Sequence, residues 1–176
     1  MSVVQPVRVG IVLGSDSDLD VMLETVKVLD ALEIGCEVVV ASAHRTPKRT
    51  EEYASGAAGR GLGVLIGAAG GAAALPGVLA ASSPLPVIGV PIASTPLGGV
   101  DALFSIAQMP PGVPVATVAV GAWGATNAAI LAAQILATAD PALAKRLADY
   151  RARLAAQVDE RQRRVAERVA AARARS

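Results

Sequence analysis

Aromatic residues are scarce in this chain: only four of its 176 residues are Phe, Trp or Tyr. They are Tyr53, Phe104, Trp123 and Tyr150. Proteins that bind single-stranded nucleic acid by stacking bases on aromatic side chains depend on such residues, so the composition argues against that class. The apolar residues are instead mainly Ala, Val, Leu and Ile, combined with 17 Gly.

Cysteine and histidine are each present once, as Cys36 and His44. A single cysteine excludes a disulfide framework within the chain and a zinc site built from thiolates. A single histidine excludes a cluster of His ligands within one chain. We expect Cys36, which lies at the start of a predicted strand, to be a buried and unreactive thiol.

Targeting and membrane-spanning segments are not recognisable either. Residues 1–6 have no charged region and no long apolar stretch, so we expect no signal peptide. No apolar run reaches membrane-spanning length without a Gly, a Pro or a charge. The resulting expectation is a cytoplasmic protein with no membrane partner.

The formal net charge of +1 conceals two segments of opposite charge. Residues 1–140 contain 6 Lys/Arg and 11 Asp/Glu, a net −5, whereas residues 141–176 contain 10 Lys/Arg and 4 Asp/Glu, a net +6. All 17 Gly precede the basic segment. We therefore expect a catalytic body at 1–140 and a C-terminal helix at 141–176, both within a single domain. The charge of the body argues against nucleic acid as a partner.

Short β-branched runs alternate with segments of helical periodicity. The runs predict strands at 7–13, 37–40, 63–66, 87–90 and 113–120. The periodic segments predict helices at 18–33, 47–59, 72–82, 98–107 and 124–138. This alternation predicts an α/β fold, namely a three-layer α/β/α sandwich with a parallel sheet of about five strands.

A long helix is predicted at residues 140–174. Asp140 is a good N-cap residue and Pro141 is favourable in the first helical turn. Apolar residues then recur at steps of three and four, which places them in one stripe on a helix roughly 50 Å long. The stripe needs a partner, and we expect a second copy of the chain, with the Arg-rich face in solvent.

Polar loops follow the first two predicted strands, where ligands bind in open parallel sheets. GSDSD (14–18) offers a tight turn, two serine hydroxyls and a helix N-terminus, which together suit a phosphate. An ordinary helix cap explains this loop equally well. SAHRTP (42–47) places His44, a potential proton-transfer group, beside Arg45, which can hold a phosphate or carboxylate through two hydrogen bonds. A surface histidine without a catalytic role is the alternative.

The loop after the third predicted strand has no ionisable side chain. Residues 67–77 are almost entirely Ala and Gly, followed by Leu and Pro near the end. Small residues let the backbone lie close against a flat ligand, or let a helix pack closely on a strand. Both explanations can hold for the same loop.

Several segments, in this order, resemble the class I N5-carboxyaminoimidazole ribonucleotide mutases, the PurE family of purine biosynthesis. They are GSDSD (14–18), SAHRTP (42–47), AAGGAAALPG (68–77), GVP (89–91), GVDALFSIAQMPPGVPVATVAVG (99–121) and NAAILAAQIL (127–136). The resemblance runs from about Val7 to Asp140. It implies a flavodoxin-like fold and a homo-octamer with C-terminal helices reaching neighbouring subunits. It also implies an isomerase that uses no metal, cofactor or ATP.

The resemblance further implies the reaction and the residues that carry it. The family moves CO2 from the exocyclic nitrogen of N5-carboxyaminoimidazole ribonucleotide to C4 of the ring, through aminoimidazole ribonucleotide with CO2 held in the pocket. The implied partners are therefore this type of ribonucleotide and CO2, and His44 is the implied general acid and base. The implied substrate-binding residues are Gly14, Ser15, Ser17, Asp18, Ser42, Ala43, Arg45, Ala69, Gly70, Gly71, Ala74 and Leu75.

One position departs from the family pattern beside the implied substrate. The usual third-loop motif is GAGGAAHLPG, and Ala74 stands here in place of its histidine, with Ala68-Ala69 a further departure. Three hypotheses remain open. The chain is a mutase that relies on His44, or a related enzyme with an altered substrate or decarboxylase chemistry, or a ribonucleotide binder without catalysis.

Overall fold

The computed structural model describes residues 6–174. The chain divides into two compact units, one ending at Leu136 and one beginning at Ala137. Residues 1–5, where we expect no signal peptide, lie outside the described residues. The last two residues of the predicted C-terminal segment lie outside them as well. Within residues 6–174, no helix is both long enough and apolar enough to cross a membrane.

A parallel sheet of five strands forms the centre of the first unit. The strands are β1 (Val7–Leu13), β2 (Gly35–Val40), β3 (Val64–Gly70), β4 (Val87–Ile92) and β5 (Ala116–Thr117). Their spatial order is β2-β1-β3-β4-β5, and each neighbouring pair is parallel. This is the flavodoxin-like order, in which the strand sequence reverses between β1 and β3. The predicted fold class is confirmed.

Helices cover both faces of this sheet. The helices of the first unit are α1 (Leu19–Ala31), α2 (Pro47–Ser55), α3 (Leu75–Ser82), α4 (Val100–Ala107) and α5 (Ala122–Ala137), which ends at the boundary between the units. The second unit contains α6 (Pro141–Arg173). Buried residues of α2, α3 and α4 share one apolar core with the strands. On the opposite face, the Thr25 hydroxyl of α1 donates to the Ala125 carbonyl of α5 at 2.7 Å.

Glycines in the central strands allow α3 and α4 to pack closely on the sheet. A Cβ at Gly67 would lie 3.0 Å from a Leu79 methyl and 3.2 Å from Pro76 of α3. A Cβ at Gly89 would overlap a methyl of Ile106 in α4. Close packing of α3 and α4 therefore requires glycine at Gly67 and Gly89, because a side chain at either position would displace a helix.

Several predicted boundaries are wrong. The third strand continues to Gly70 instead of ending at 66, so residues 67–70 are strand, and α2 ends at Ser55 instead of 59. Backbone chemistry explains two further differences. The predicted strand at 113–120 is regular only at Ala116–Thr117. Its first part contains Pro114, which has no N–H to donate. After β5, the Val118 and Gly121 amides still donate to the Gly89 and Pro91 carbonyls of β4, at 3.1 and 2.9 Å. The helix predicted from position 72 begins at Leu75, because Gly71 and Ala73 have φ values of 61° and 41°, which no right-handed helix accepts.

The second unit consists mainly of α6. The Asp140 side chain accepts a hydrogen bond from the Leu143 amide at 3.0 Å, and Pro141 lies in the first turn, as predicted. Further along α6, apolar side chains of the predicted stripe are 44–59% exposed in the single chain: Leu154, Val158, Val165 and Val169. That a second copy covers this stripe stays a prediction.

Candidate active site

The loops that follow β1, β2 and β3 meet where the strand order reverses. The Gly14 amide donates to the Ala68 carbonyl at the end of β3, at 3.0 Å. The Ala41 amide, just after β2, donates to the Leu13 carbonyl at 3.0 Å. Backbone hydrogen bonds therefore fix the relative positions of the three loops, at the edge of the sheet where ligands bind in this fold.

The first loop is a capped turn that faces the cleft. Ser15 is the N-cap of a short 3₁₀ helix, and its hydroxyl oxygen accepts from the Ser17 amide at 3.4 Å. In return, the Ser15 amide donates to the Asp18 carboxylate at 3.2 Å. This reciprocal arrangement is a capping box. The GSDSD segment therefore forms the predicted helix cap. The same segment also lines the candidate site.

Asp18 is a buried carboxylate in the first loop. It is only 5% exposed. Burial raises the pKa of the Asp18 carboxyl above its usual value, while hydrogen bonds from the Ser15 amide and from Ser17 oppose the shift. A desolvated carboxylate with a fixed orientation can accept hydrogen bonds from ligand hydroxyls more strongly than one in water.

The second loop is closed by the side chain of Thr46. Its hydroxyl accepts from the Ser42 amide at 2.9 Å and donates to the Ser42 carbonyl at 3.1 Å. The Thr46 amide also donates to the Ser42 carbonyl, at 2.8 Å. These three bonds hold the segment between them, residues 43–45, in one conformation directly before α2. His44 is exposed on this segment and lines the cleft.

Arg45 connects the second loop to the first. One terminal nitrogen of its guanidinium donates to the Gly14 carbonyl at 3.3 Å, and Nε lies 3.4 Å from the Ser42 hydroxyl. The Arg45 amide also donates to that hydroxyl, at 3.2 Å. The positive charge is therefore held at the boundary of the two loops, beside His44.

The third loop carries backbone strain instead of polar side chains. Ala73 adopts a positive φ of 41°, a conformation that costs a residue with a Cβ about 1–3 kcal/mol. The Ala73 amide donates to the Gly70 carbonyl at 3.1 Å, and the Ser105 hydroxyl of α4 donates to the Ala72 carbonyl. These contacts hold the strained turn, which places Ala73, Ala74 and Leu75 against the cleft.

A fourth loop, after β4, contributes Ser94. A Cβ at Gly70 would overlap the Ser94 hydroxyl and lie 2.9 Å from the Ile92 carbonyl, so the absence of a side chain at Gly70 makes room for Ser94. The next residue, Thr95, donates to the Asp101 carboxylate at 2.7 Å, and this bond lowers the pKa of Asp101. The fourth loop is thereby attached to the start of α4.

Together the four loops enclose a cleft of about 360 Å³. Its lining consists of Gly14, Ser15, Ser17, Asp18, Ser42, Ala43, His44, Arg45, Ala69, Gly70, Ala73, Ala74, Leu75 and Ser94. The structure thus brings together every predicted site residue except Gly71, which turns away beside Thr95. Sequence reasoning missed Ala73 and Ser94. The position of Ser94 directly after a buried strand could have indicated it.

The arrangement provides one imidazole, one guanidinium and one buried carboxylate around a space otherwise lined by hydroxyls and small apolar groups. Within residues 6–174, no group of three His, Cys, Asp or Glu side chains could hold a metal ion. Of the side chains in this lining, the imidazole of His44 is the type that can both donate and accept a proton in catalysis. Cys36 is half-buried on β2, and burial raises the pKa of its thiol.

Comparison with known proteins identifies relatives over most of the chain. The family model described as AIR carboxylase matches residues 8–157. The N5-carboxyaminoimidazole ribonucleotide mutase of Pyrococcus abyssi is 57% identical over 144 residues, which cover 82% of each protein. The mutase of the same name from Thermotoga maritima is 51% identical over 158 residues, 90% of this chain and 91% of that protein.

A crystal structure of a PurE2 variant from Treponema denticola has the same fold. Its TM-score is 0.79 at 26% sequence identity, and the match covers 86% of this chain and 93% of that one. The sequence match spans β1 to β5 and all four loops of the cleft, and it extends into α6. This chain belongs to the AIR carboxylase family.

Proposed function

We propose that this chain is an N5-carboxyaminoimidazole ribonucleotide mutase. Relatives with that name are 51–57% identical to it over more than four fifths of its length. The observation that carries the proposal is the position of His44, held beside Arg45 at the rim of a cleft whose far side is built from Gly, Ala and Leu. Such a cleft combines one proton-transfer group with a space suited to a small neutral molecule.

The proposed reaction is an isomerisation with balanced atoms and charge. The bond between the exocyclic nitrogen and its carboxylate breaks, which releases CO2, and protonated His44 supplies a proton to that nitrogen. C4 of the ring then attacks the same CO2, and His44 takes the proton that C4 loses. One imidazole thus acts first as acid and then as base, so no other proton-transfer group is required.

The small residues have a confining role in this proposal. Ala69, Ala73, Ala74 and Leu75 present no hydrogen-bonding side-chain group to the cleft. An apolar wall does not hold water by hydrogen bonds, so CO2 remains beside C4 instead of being hydrated or lost. Backbone groups of Gly70, which lines the cleft, are proposed to lie against the imidazole ring of the substrate.

The polar loops are proposed to bind the ribonucleotide. The Asp18 carboxylate would accept hydrogen bonds from the ribose hydroxyls, because it is fixed and largely removed from water. The Ser15 hydroxyl would form a further hydrogen bond with the ribose. Arg45 would pair with the phosphate, since its guanidinium is already positioned by Gly14 and Ser42. Nucleotide binding is thus proposed for the side of the cleft opposite the apolar wall.

An octameric assembly is proposed together with this activity. On α4 and its preceding loop, Leu97, Val100 and Phe104 are 51–65% exposed in the single chain, and Trp123 of α5 is 82% exposed. Large apolar side chains at such exposure are typical of subunit interfaces. The exposed stripe of α6 is a further candidate contact. Light scattering coupled to size-exclusion chromatography measures the assembly mass directly.

The direct test of function is conversion of the N-carboxylated ribonucleotide to the C4-carboxylate, followed by absorbance or NMR with and without added bicarbonate. We expect conversion that does not require bicarbonate, because CO2 comes from the substrate itself. A requirement for bicarbonate with aminoimidazole ribonucleotide as substrate would instead indicate direct carboxylation. Binding without turnover in an intact oligomer would support the non-catalytic hypothesis.

A further inference from the structure

A second cleft, of about 310 Å³, adjoins the first and is more cationic. Its lining is Gly14, Ser15, Asp16, Val40, Ser42, Arg45, Thr46 and Arg49. Gly14, Ser15, Ser42 and Arg45 belong to both clefts, so the two form adjoining compartments with Arg45 between them. The first compartment contains the imidazole and the apolar wall, and the second contains a second arginine.

Arg49 lies in the first turn of α2, one helical turn after Arg45. Its side chain is exposed, and within residues 6–174 no ion pair or hydrogen bond occupies it. The neighbouring Lys48, by contrast, lies 3.8 Å from Glu52. The Arg49 guanidinium is therefore a cation whose charge no carboxylate in the described residues neutralises.

The one carboxylate in the second compartment is already engaged. Asp16 Oδ1 accepts from the Ser15 hydroxyl at 3.1 Å and from the Ser17 amide at 3.1 Å. Two guanidinium groups and one carboxylate leave this lining net positive, and the positive end of the α2 dipole adds to it. A dianionic group of roughly the size of a phosphate is the ligand that such a compartment favours.

We propose that Arg49 binds the phosphate of the ribonucleotide jointly with Arg45 and so selects phosphorylated over unphosphorylated substrates. This proposal rests on the proposed mutase function for the identity of the ribonucleotide. It extends the substrate-binding set beyond the residues that the family resemblance implies. In this arrangement the phosphate occupies the second compartment, and the ribose lies beside Ser15 and Ser42, which line both compartments. The imidazole ring of the substrate then lies beside His44 in the first compartment.

The test compares Arg49→Ala with Lys48→Ala, an adjacent exposed cation outside both clefts. Binding of ribose 5-phosphate is measured by calorimetry, and kcat and KM are measured with the ribonucleotide. For Arg49→Ala we expect the Kd and the KM to rise about tenfold, with kcat within about twofold, since a charge-assisted contact to one end of the substrate is lost. Lys48→Ala should change each value less than about twofold. Arg49→Lys should recover part of the affinity because it keeps the charge but not the planar fork.

Binding and turnover separate this proposal from the proposed function. If the wild-type chain binds ribose 5-phosphate in an Arg49-dependent way but converts no imidazole ribonucleotide, the phosphate site stands and the mutase function fails. Equal losses in Arg49→Ala and Lys48→Ala would show nonspecific attraction and overturn the proposal. Wild-type affinity in Arg49→Ala, a fall in kcat at constant KM, or no ribose 5-phosphate binding by the wild-type chain would also overturn it.

Discussion

The two sides of the first cleft are constructed on different principles. The polar wall consists of the loops after β1 and β2, where Ser15, Asp18 and Thr46 fix the backbone through side-chain hydrogen bonds. The small-residue wall consists of the loops after β3 and β4, where Gly70 and the strained Ala73 fix it through backbone contacts and the absence of side chains. The polar wall therefore supplies interactions, whereas the small-residue wall supplies a shape.

The shape of the small-residue wall is broken most directly by Gly70→Ala. The new Cβ would overlap the Ser94 hydroxyl and lie 2.8 Å from Ser94 Cβ. Rotation of Ser94 cannot relieve the contact with the Ile92 carbonyl at 2.9 Å. We expect the free energy of unfolding to fall by about 1–3 kcal/mol, as for other overpacked sites, together with a loss of turnover. Urea denaturation and the mutase assay measure both.

Gly59→Ala is the matched control for this substitution. No heavy atom outside its chain neighbours lies within 4 Å of a Cβ built at Gly59. Its free energy of unfolding should stay within about 1 kcal/mol of wild type, because a Gly-to-Ala change without strain restricts mainly the unfolded chain. If Gly70→Ala were as harmless as Gly59→Ala, the small-residue wall would not depend on its shape.

Ala74→His gives the small-residue wall the polar group that the family pattern has at this position. The side chain is half-buried in the lining of the cleft, so an imidazole there would reach the substrate. If the chain is a mutase that relies on His44, one added hydrogen bond should raise kcat by up to about tenfold. Steady-state turnover of the N-carboxylated ribonucleotide measures the change. Unchanged or lower turnover would favour an enzyme adapted to a different imidazole-like substrate.

Asp18→Asn tests the polar wall through the pH dependence of stability. Burial raises the pKa of Asp18, so the folded chain holds this proton to higher pH than the unfolded chain. The contribution of Asp18 to the free energy of unfolding is therefore largest below its ordinary pKa and is lost as the pH rises through the folded-state pKa. Asn retains an oxygen that accepts from the Ser15 amide but does not ionise.

We accordingly expect the free energy of unfolding of Asp18→Asn, relative to wild type, to increase as the pH rises from about 4, near the ordinary pKa of Asp, through the raised pKa of the folded state. Urea denaturation at several pH values gives the difference. The exposed Asp20→Asn on α1 serves as the control and should show a smaller trend. A difference between Asp18→Asn and wild type that does not vary with pH would mean that the Asp18 carboxyl is not desolvated by the fold.

The polar wall could be predicted from the sequence to a greater extent than the small-residue wall. Strand β1 and the start of α6 at Pro141 match their predictions, because β-branched runs and helix caps are local signals. His44 and Arg45 could be placed at the site because they follow a strand of a parallel sheet. Each of these predictions depends on the types of a few neighbouring residues, which the sequence shows directly.

The small-residue wall depends on contacts between segments distant in the chain. That Gly70 makes room for Ser94 follows only from the pairing of β3 with β4, and no local pattern records it. The left-handed turn at Ala73 is also invisible in the sequence, because alanine ordinarily favours helix. The sequence therefore predicts a helix from residue 72, whereas the structure has a strained turn at Ala73 that lines the cleft before α3 begins at Leu75.

His44 is the proposed proton-transfer group of this site, and His44→Asn removes that group while keeping a side chain of similar size. Calorimetry with aminoimidazole ribonucleotide and turnover of the N-carboxylated ribonucleotide are measured on the same oligomeric preparation. We expect kcat to fall by about 10²- to 10⁴-fold, the usual contribution of a general acid–base group, while the Kd changes less than about threefold. Turnover within tenfold of wild type would show that His44 is not the group that transfers the proton.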